Sequence, residues 1–486
     1  MINKNELMTL IEPHFKKDLK SDNYEIKTIK ANKLLTYSRF DLAFKLLYLE
    51  MKDKDVEFSK NIYREHIRAF SLGKFTEPGN ENKDNIDKFI SDFDKTFENI
   101  KINGFDSSKT LIPLSKNASI ANGAHRVASS IYFDKEVDYI QLDTSDHIYD
   151  YKFFYGRNVP SDMLDVVATK FVEYAENIHV AFIWSTAQGH DREIENIIPN
   201  IVYRKEIKLT PNGAHNLLSQ IYYGEEWLGR VENNFKGAEG KLVECFKNFN
   251  PVRVIAFQAN NLDEVLKIKD RVRELFNVGK HSIHITDTKE EAIRTVRVVF
   301  NENSIHFLNY AKPNKYLSTH TKIDEFKKFV VKNDLDSNDL LIDSSFISSC
   351  YGLREAKDTD FFCSDNEKIK VDFDDINLHD EALRFYHESK QELIYNPKNY
   401  FYFNELKFIS FSQLYKMKTN RAEEKDINDC KMMEALVENS TLHQIISQQK
   451  QKIYYMKIKI RFYFVEILKK IKLYEATRSL YRFIKR

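Results

Sequence analysis

"DLLIDSSFISSCYGLREAKDTDFFCSD" occupies residues 339–365, and its reading decides the fold of the second half of the chain. Leu340 to Ile342 form a short apolar run that predicts a strand. Asp343, Ser344 and Ser345 supply a small-residue turn, and the segment after them predicts a helix. Gly352, Leu353 and Arg354 follow, and Asp358-Thr359-Asp360 opens another strand. Two Asp residues at i and i+2 on a strand project to the same side, so their carboxylates can share one divalent metal. Ser344 and Ser345 offer hydroxyls and backbone amides to the phosphates of a ligand held there. Taken alone, a DxD of this kind also describes an ordinary acidic strand end.

The residues downstream extend the pattern. IKVDFDDI (369–376) reads as the next strand and supplies Asp372 and Asp374, one of them a candidate third carboxylate. In 403–433 the spacing LxxxKxxRxxxKDxxD falls on Leu414, Lys418, Arg421, Lys425, Asp426 and Asp429. Together these elements resemble the nucleotidyltransferase superfamily. The resemblance implies a nucleotide-activated donor, Mg²⁺ or Mn²⁺ held by Asp358 and Asp360, catalytic roles for Asp358, Asp360 and Asp372, and phosphate contacts from Ser344, Ser345 and Arg354. The chain departs from that family where Ser344-Ser345 replaces the usual Gly-Ser pair.

Upstream, strand-like and helical segments alternate from 178 to 365, which predicts a mixed α/β domain. IHVAFIW (178–184), IVYRKEIKL (201–209), VRVIAFQA (252–259) and HSIHITD (281–287) read as strands. Thr286 or Asp287 is placed to cap the helix that follows, with Glu290 at capping-box spacing. His284 and His306 read as sheet residues, and His281 as a candidate for contacting substrate. Residues 1 to about 55 read as helical, with eight bulky apolar residues between Leu34 and Leu49 and no breaker among them.

Between these segments lies LIPLSKNASIANGAHRVASSIYF (111–133): a strand, a turn, then a helix from about His125. A Gly just before a helix lets the backbone approach an anion, and Arg126 can clamp a phosphate through two nitrogens. The stretch resembles the ParB/sulfiredoxin-like superfamily, whose nucleotide-binding turn has the form [D/N]GxHRxxA. Asn122, Gly123, His125 and Arg126 match that form, which implies that this turn holds nucleotide phosphates. Ala124 stands where sulfiredoxins carry cysteine, so sulfinic acid reduction is not expected. A second NGAH at 212–215 lacks the Arg, with Asn216 in its place, and reads as a Gly-shaped helix start.

The expected fold class is therefore α/β (α+β). It comprises a ParB/sulfiredoxin-like module over 1–160, a nucleotidyltransferase-like mixed-sheet domain over 161–435 and amphipathic helices over 436–486. From Gln451 to Arg486 there are eleven Lys or Arg against Glu466 and Glu475. A basic helix carrying Phe462, Val465, Leu468, Ile471 and Leu473 suits an anionic membrane surface. The tail also resembles those of bacterial enzymes that assemble capsule and other surface polysaccharides. Four scattered cysteines and no long apolar run fit reducing cytosol, with the protein peripheral on the inner membrane. A net charge of +1 argues against nucleic acid as a partner. No GxxxxGK[ST], GxSxG or HExxH is present, which removes P-loop enzymes, α/β-hydrolases and zincins. The resulting expectation is a transferase of capsular or other surface polysaccharide synthesis, moving a sugar or substituted phosphate to a saccharide or lipid-linked acceptor. A nucleotide-dependent small-molecule kinase or nucleotidyltransferase is the first alternative, and a non-enzymatic nucleotide-binding adaptor the second.

Overall fold

In the computed structural model the described residues are 1–77, 83–438, 463–475 and 477, with 446, 449, 453, 456 and 460. The chain forms two compact units, divided elsewhere than at 160 and 435. The first is Met1–Asn309 with Asp336–Leu341 and Lys390–Phe408; the second is Tyr310–Leu335, Ile342–Ser389 and Ile409–Arg486. The architecture is mixed α/β, as the alternating pattern predicts.

The first unit holds a four-stranded and a three-stranded sheet, besides the two-stranded pair Ile2–Asn3 and Asn23–Tyr24. Its four-stranded sheet is antiparallel, in the order Ile201–Ile207, Val252–Gln258, Ile178–Ile183, Ile283–Ile285. The central strands are apolar on both faces because helices cover both faces. On one side Ile183, Ile255, Phe257 and Ile285 pack against Val265, Ile268 and Val272 of helix Leu262–Phe276. The second sheet places Glu136–Gln141 between Lys27–Lys30, antiparallel, and Ile112–Leu114, parallel. Helix Asp41–Met51 is buried on nearly every side, and its Leu42, Phe44, Leu46, Leu47 and Leu49 are the apolar run seen in the sequence.

Several expectations are corrected. The first 55 residues are not helical throughout, because Lys27–Lys30 pairs with Glu136–Gln141 and only Lys4–Leu10 and Asp41–Met51 are α-helical. His306 lies on helix Glu302–Tyr310 and not on a strand. Helix Lys289–Val299 is capped by Thr288, which accepts from the Glu291 amide, while Glu291 accepts from the Asp287 amide. Residues 369–375 form no strand; the paired segment is Ile376–Leu378, parallel to Thr359–Cys363. Most of the basic tail lies outside the described residues. Among those described, no helix is long and apolar enough to cross a membrane.

The two NGAH stretches also differ in structure. Gly123 is the N-cap of helix Ala124–Tyr132, with φ +89°. Gly213 sits inside helix Pro211–Ile221, which Thr210 caps by accepting from the Gly213 amide. Gly213 is required for a different reason: a Cβ there would meet Asn309 Oδ1 at 2.1 Å. That oxygen accepts from the Thr210 amide at 2.8 Å, so the helix start and residue 309 are locked together.

Gly213→Ala therefore costs about 1–3 kcal/mol of stability by overpacking. Gly240→Ala, a helical site with nothing within 4 Å of the added Cβ, gains about 0.5–1 kcal/mol from helix propensity. Urea unfolding of the two variants checks both signs.

Candidate functional site

The strand Leu340–Asp343 ends on a carboxylate with no solvent exposure. Asp343 accepts from His379 Nδ1 at 2.8 Å and from the Tyr386 hydroxyl at 2.5 Å. Ser344 then turns the chain into helix Ser345–Cys350 with φ +65° and ψ −137°. This is backbone that glycine adopts freely and that costs other residues of order 1–3 kcal/mol. The Ser344 hydroxyl bonds to Asp360, on the adjacent strand Thr359–Cys363.

Asp360 is the electrostatic centre of this cluster. Burial raises its pKa; Asp358 and Asp343 raise it further, while His379 and the Ser344 hydroxyl pull it down. For His379, burial alone would lower the pKa, but the hydrogen bond and charge of Asp343, helped by Asp360, outweigh it and raise it. Three carboxylates thus gather beside one histidine, Asp343 at the end of one strand and Asp358 and Asp360 at the start of the other.

Lys418, Arg421, Asp426 and Asp429 have a different role from the ligand site itself. Helices Phe411–Arg421 and Glu424–Val437 form a hairpin around a buried ion network. Lys418 lies 3.2 Å from Asp426 and 2.8 Å from Asp429. Arg421 grips Asp426 through two nitrogens at 2.7 and 2.8 Å. Arg354 grips Asp429 in the same way, at 2.7 and 2.8 Å. Gly352, with φ +70°, makes the reversal that brings Arg354 to Asp429. Arg354 thus braces the hairpin, and Lys425 pairs with Glu423 near the surface.

Asp358 and Asp360 stand at the start of one strand, as their spacing requires. Asp372 is exposed on the stretch ahead of Ile376–Leu378, and the third carboxylate acting on Asp360 is Asp343. His379 and Tyr386 carry no sequence signal, since neither stands in a periodic element and both act through Asp343. Among the described residues no group of three or more His, Cys, Asp or Glu side chains surrounds one metal position. Asp358 and Asp360 nevertheless fit a Mg²⁺ or Mn²⁺ ion of the kind held by one or two carboxylates plus the substrate's own phosphates.

In the first unit, the NGAHR turn is built on Gly123. A Cβ there would meet Ile112 Cδ1 at 2.7 Å and Arg126 Nη2 at 2.9 Å. The Arg126 guanidinium folds back over the helix start and makes no ion pair among the described residues. Burial lowers its pKa, against the pull of Glu12. The Asn122 side chain accepts from the Gly123 amide. His125 turns inward instead: its Nε2 meets the Tyr63 hydroxyl at 2.8 Å, and its ring lies 4.5 Å from that of Phe93. Burial, then the charges of Lys45, Lys83 and Arg126, hold His125 neutral, with its pKa well below the usual value. Behind it, Arg39 and Lys45 share the single buried carboxylate of Asp41, and Lys45 Nζ reaches His66 Nε2 at 3.1 Å. Of the four predicted residues, Arg126 is the one left to meet a ligand.

Comparison with protein-family models, curated proteins and solved structures finds no match to the chain.

Two outcomes follow from these networks. Asp429→Asn leaves Lys418 and Arg354 facing one fewer buried carboxylate and costs about 3–5 kcal/mol, read by urea unfolding. The native Asp429 pKa is depressed, because Lys418 and Arg354 outweigh burial. Its contribution is therefore present above the unfolded pKa near 3.8 and lost as pH falls through the native value. The His379 pKa is raised, so its contribution is full below 6.5 and fades as pH rises through the native value. NMR titration places the His379 transition above 6.5 in the wild type and lower in Asp343→Asn, where burial is opposed by Asp360 alone.

Proposed function

We propose that the chain is a transferase acting on a nucleotide-activated donor, with Asp358 and Asp360 holding a divalent cation and the Asp343–Ser345 turn facing the donor phosphates. The observation that carries this reading is the gathering of Asp343, Asp358 and Asp360 where one strand ends and another begins, with burial first and then Asp358 and Asp343 raising the Asp360 pKa. Neighbouring carboxylates of this kind are relieved when a cation arrives. Mg²⁺ or Mn²⁺ there would neutralise the donor's phosphates and the charge that develops on the leaving group. The residues of the chain do the positioning. Ser344 sets the turn, Ser345 begins the helix whose free amides face the phosphates, and His379, its pKa raised by Asp343, stands against Asp360. The Arg354–Asp429 and Arg421–Asp426 pairs fix the helical hairpin that follows the sheet. In the first unit, Arg126 over Gly123 is assigned to a second phosphate group, on the same chemistry.

The acceptor we assign is a saccharide or lipid-linked saccharide of bacterial surface-polysaccharide assembly, with the chain peripheral on the inner membrane. What supports this placement is the segment 463–475, where Tyr463, Phe464, Ile467, Ile471 and Leu473 are all more than half exposed beside Lys469, Lys470 and Lys472.

Asp360→Asn separates binding from stability. Removing one of three crowded carboxylates leaves the ligand-free protein as stable or more stable by up to about 1 kcal/mol, in line with the usual trade-off at functional sites. The same variant loses the Mg²⁺-dependent thermal shift produced by a nucleotide donor, and Asp358→Asn/Asp360→Asn loses turnover by about a hundredfold or more. Donor turnover that survives in the double variant contradicts the proposal.

A further inference from the structure

The first unit has a half-open cavity of about 330 Å³ that none of the candidate site residues discussed above lines. Helices Asp41–Met51, Ser161–Tyr174 and Lys289–Val299 wall it on one side, and the segment from Tyr395 to Lys407 on another. Four cationic side chains line it, Lys54, Lys170, Arg297 and Lys407, against two carboxylates, Glu50 and Glu173. Both carboxylates are already engaged. Lys170 Nζ lies 2.7 Å from Glu50 and 2.5 Å from Glu173, and Arg297 Nη2 lies 2.7 Å from Glu173. Lys54 reaches only Asp339, at 3.6 Å, and the Tyr395 hydroxyl donates to that same carboxylate at 2.8 Å.

Lys407 is the unusual member. It is 4% exposed and forms no ion pair among the described residues. Its ammonium donates to the carbonyls of Asn338 and Ile394, at 2.5 and 2.6 Å. It also lies 4.8 Å from the Tyr400 ring centre and 5.4 Å from that of Tyr395. Lys54 lies over the same Tyr395 ring at 5.2 Å, and Arg297 over Tyr402 at 5.6 Å. Three cations therefore gather round one tyrosine cluster, with only a shared Asp339 to balance Lys54. Burial, with Arg297 and Lys54 adding to it and Asp339 opposing, pushes the Lys407 pKa down to about 7.

Buried cations in surplus are costly in an empty cavity and are repaid by a buried anion. Three donors arriving from separate wall segments suit a group with three terminal oxygens, whereas a carboxylate offers two. Tyrosine hydroxyls, Asn301 and Asn338 on the wall suit a hydroxylated body. The volume is on the order of ten water molecules, near the lower limit for ligand pockets, which favours a sugar-sized molecule over a nucleoside triphosphate. We propose that this cavity binds a small phosphomonoester, a sugar phosphate in size and polarity, with Lys54, Arg297 and Lys407 on its phosphate oxygens. The inference stands on this wall alone and does not need the metal site.

The test is calorimetric titration of the full chain bearing Asp358→Asn/Asp360→Asn, in EDTA, so that the metal site is silent. The probes are glucose 6-phosphate, inorganic phosphate, glucose and glucuronate. Glucose 6-phosphate is expected to bind, inorganic phosphate more weakly, and glucose and glucuronate not at all. Lys407→Met and Lys54→Met each weaken glucose 6-phosphate by about tenfold or more, the size of one hydrogen bond to a charged group. Lys407→Met replaces a buried unpaired cation by an apolar chain of similar length, so the fold is retained, and Lys54→Met gives a second reading from a half-exposed position. No heat with either phosphate, affinity unchanged in Lys407→Met and Lys54→Met, or glucuronate binding as tightly as the phosphomonoester would each overturn the proposal.

Discussion

The geometry of the candidate transfer site hangs on the buried carboxylate of Asp343. A carboxylate with no solvent exposure costs several kcal/mol unless its oxygens are satisfied. Here His379 satisfies one and Tyr386 the other. Their requirement for Asp343 draws the segment after Ile376–Leu378 back to the end of strand Leu340–Asp343. It also leaves Ser344 no route into its helix except through left-handed backbone. Asp360, bonded to the Ser344 hydroxyl, then faces His379 and two other carboxylates. The proposed cation would relieve the repulsion among these carboxylates.

Much of this was legible in the residues. The strand–turn–helix–strand order over 340–363, the DxD on one strand face and the strands at 178, 201 and 252 all follow from period and turn chemistry, which are local. What escaped was long-range. His379 stands outside any periodic run, and its meaning comes only from Asp343, thirty-six residues away in the chain. Asp372 looked like a strand carboxylate because apolar and acidic residues alternate from 369 to 376, but the paired segment starts only at Ile376. The strand Lys27–Lys30 was masked by charged side chains suited to a sheet edge. The two NGAH turns show the limit most plainly. One glycine is needed for its positive φ and the other for a close approach by Asn309, and four identical letters do not tell these apart.

A charge pattern recurs within each unit. Arg39 and Lys45 share Asp41. Arg354, Lys418 and Arg421 share Asp426 and Asp429. Lys54 pairs with Asp339 and Arg297 with Glu173, beside Lys407, which has no ion pair among the described residues. In every case buried cations exceed carboxylates, although the chain as a whole carries a net charge of only +1. Positive charge is therefore placed rather than abundant.

The most direct test of the account is anomalous scattering from Mn²⁺ in crystals grown with a non-hydrolysable nucleotide donor. The account predicts a single strong peak within about 2.5 Å of the Asp358 and Asp360 carboxylates, bridging to donor phosphate oxygens. Mn²⁺ and nucleotide bound elsewhere, with those carboxylates still facing His379 and Ser344 alone, would contradict it.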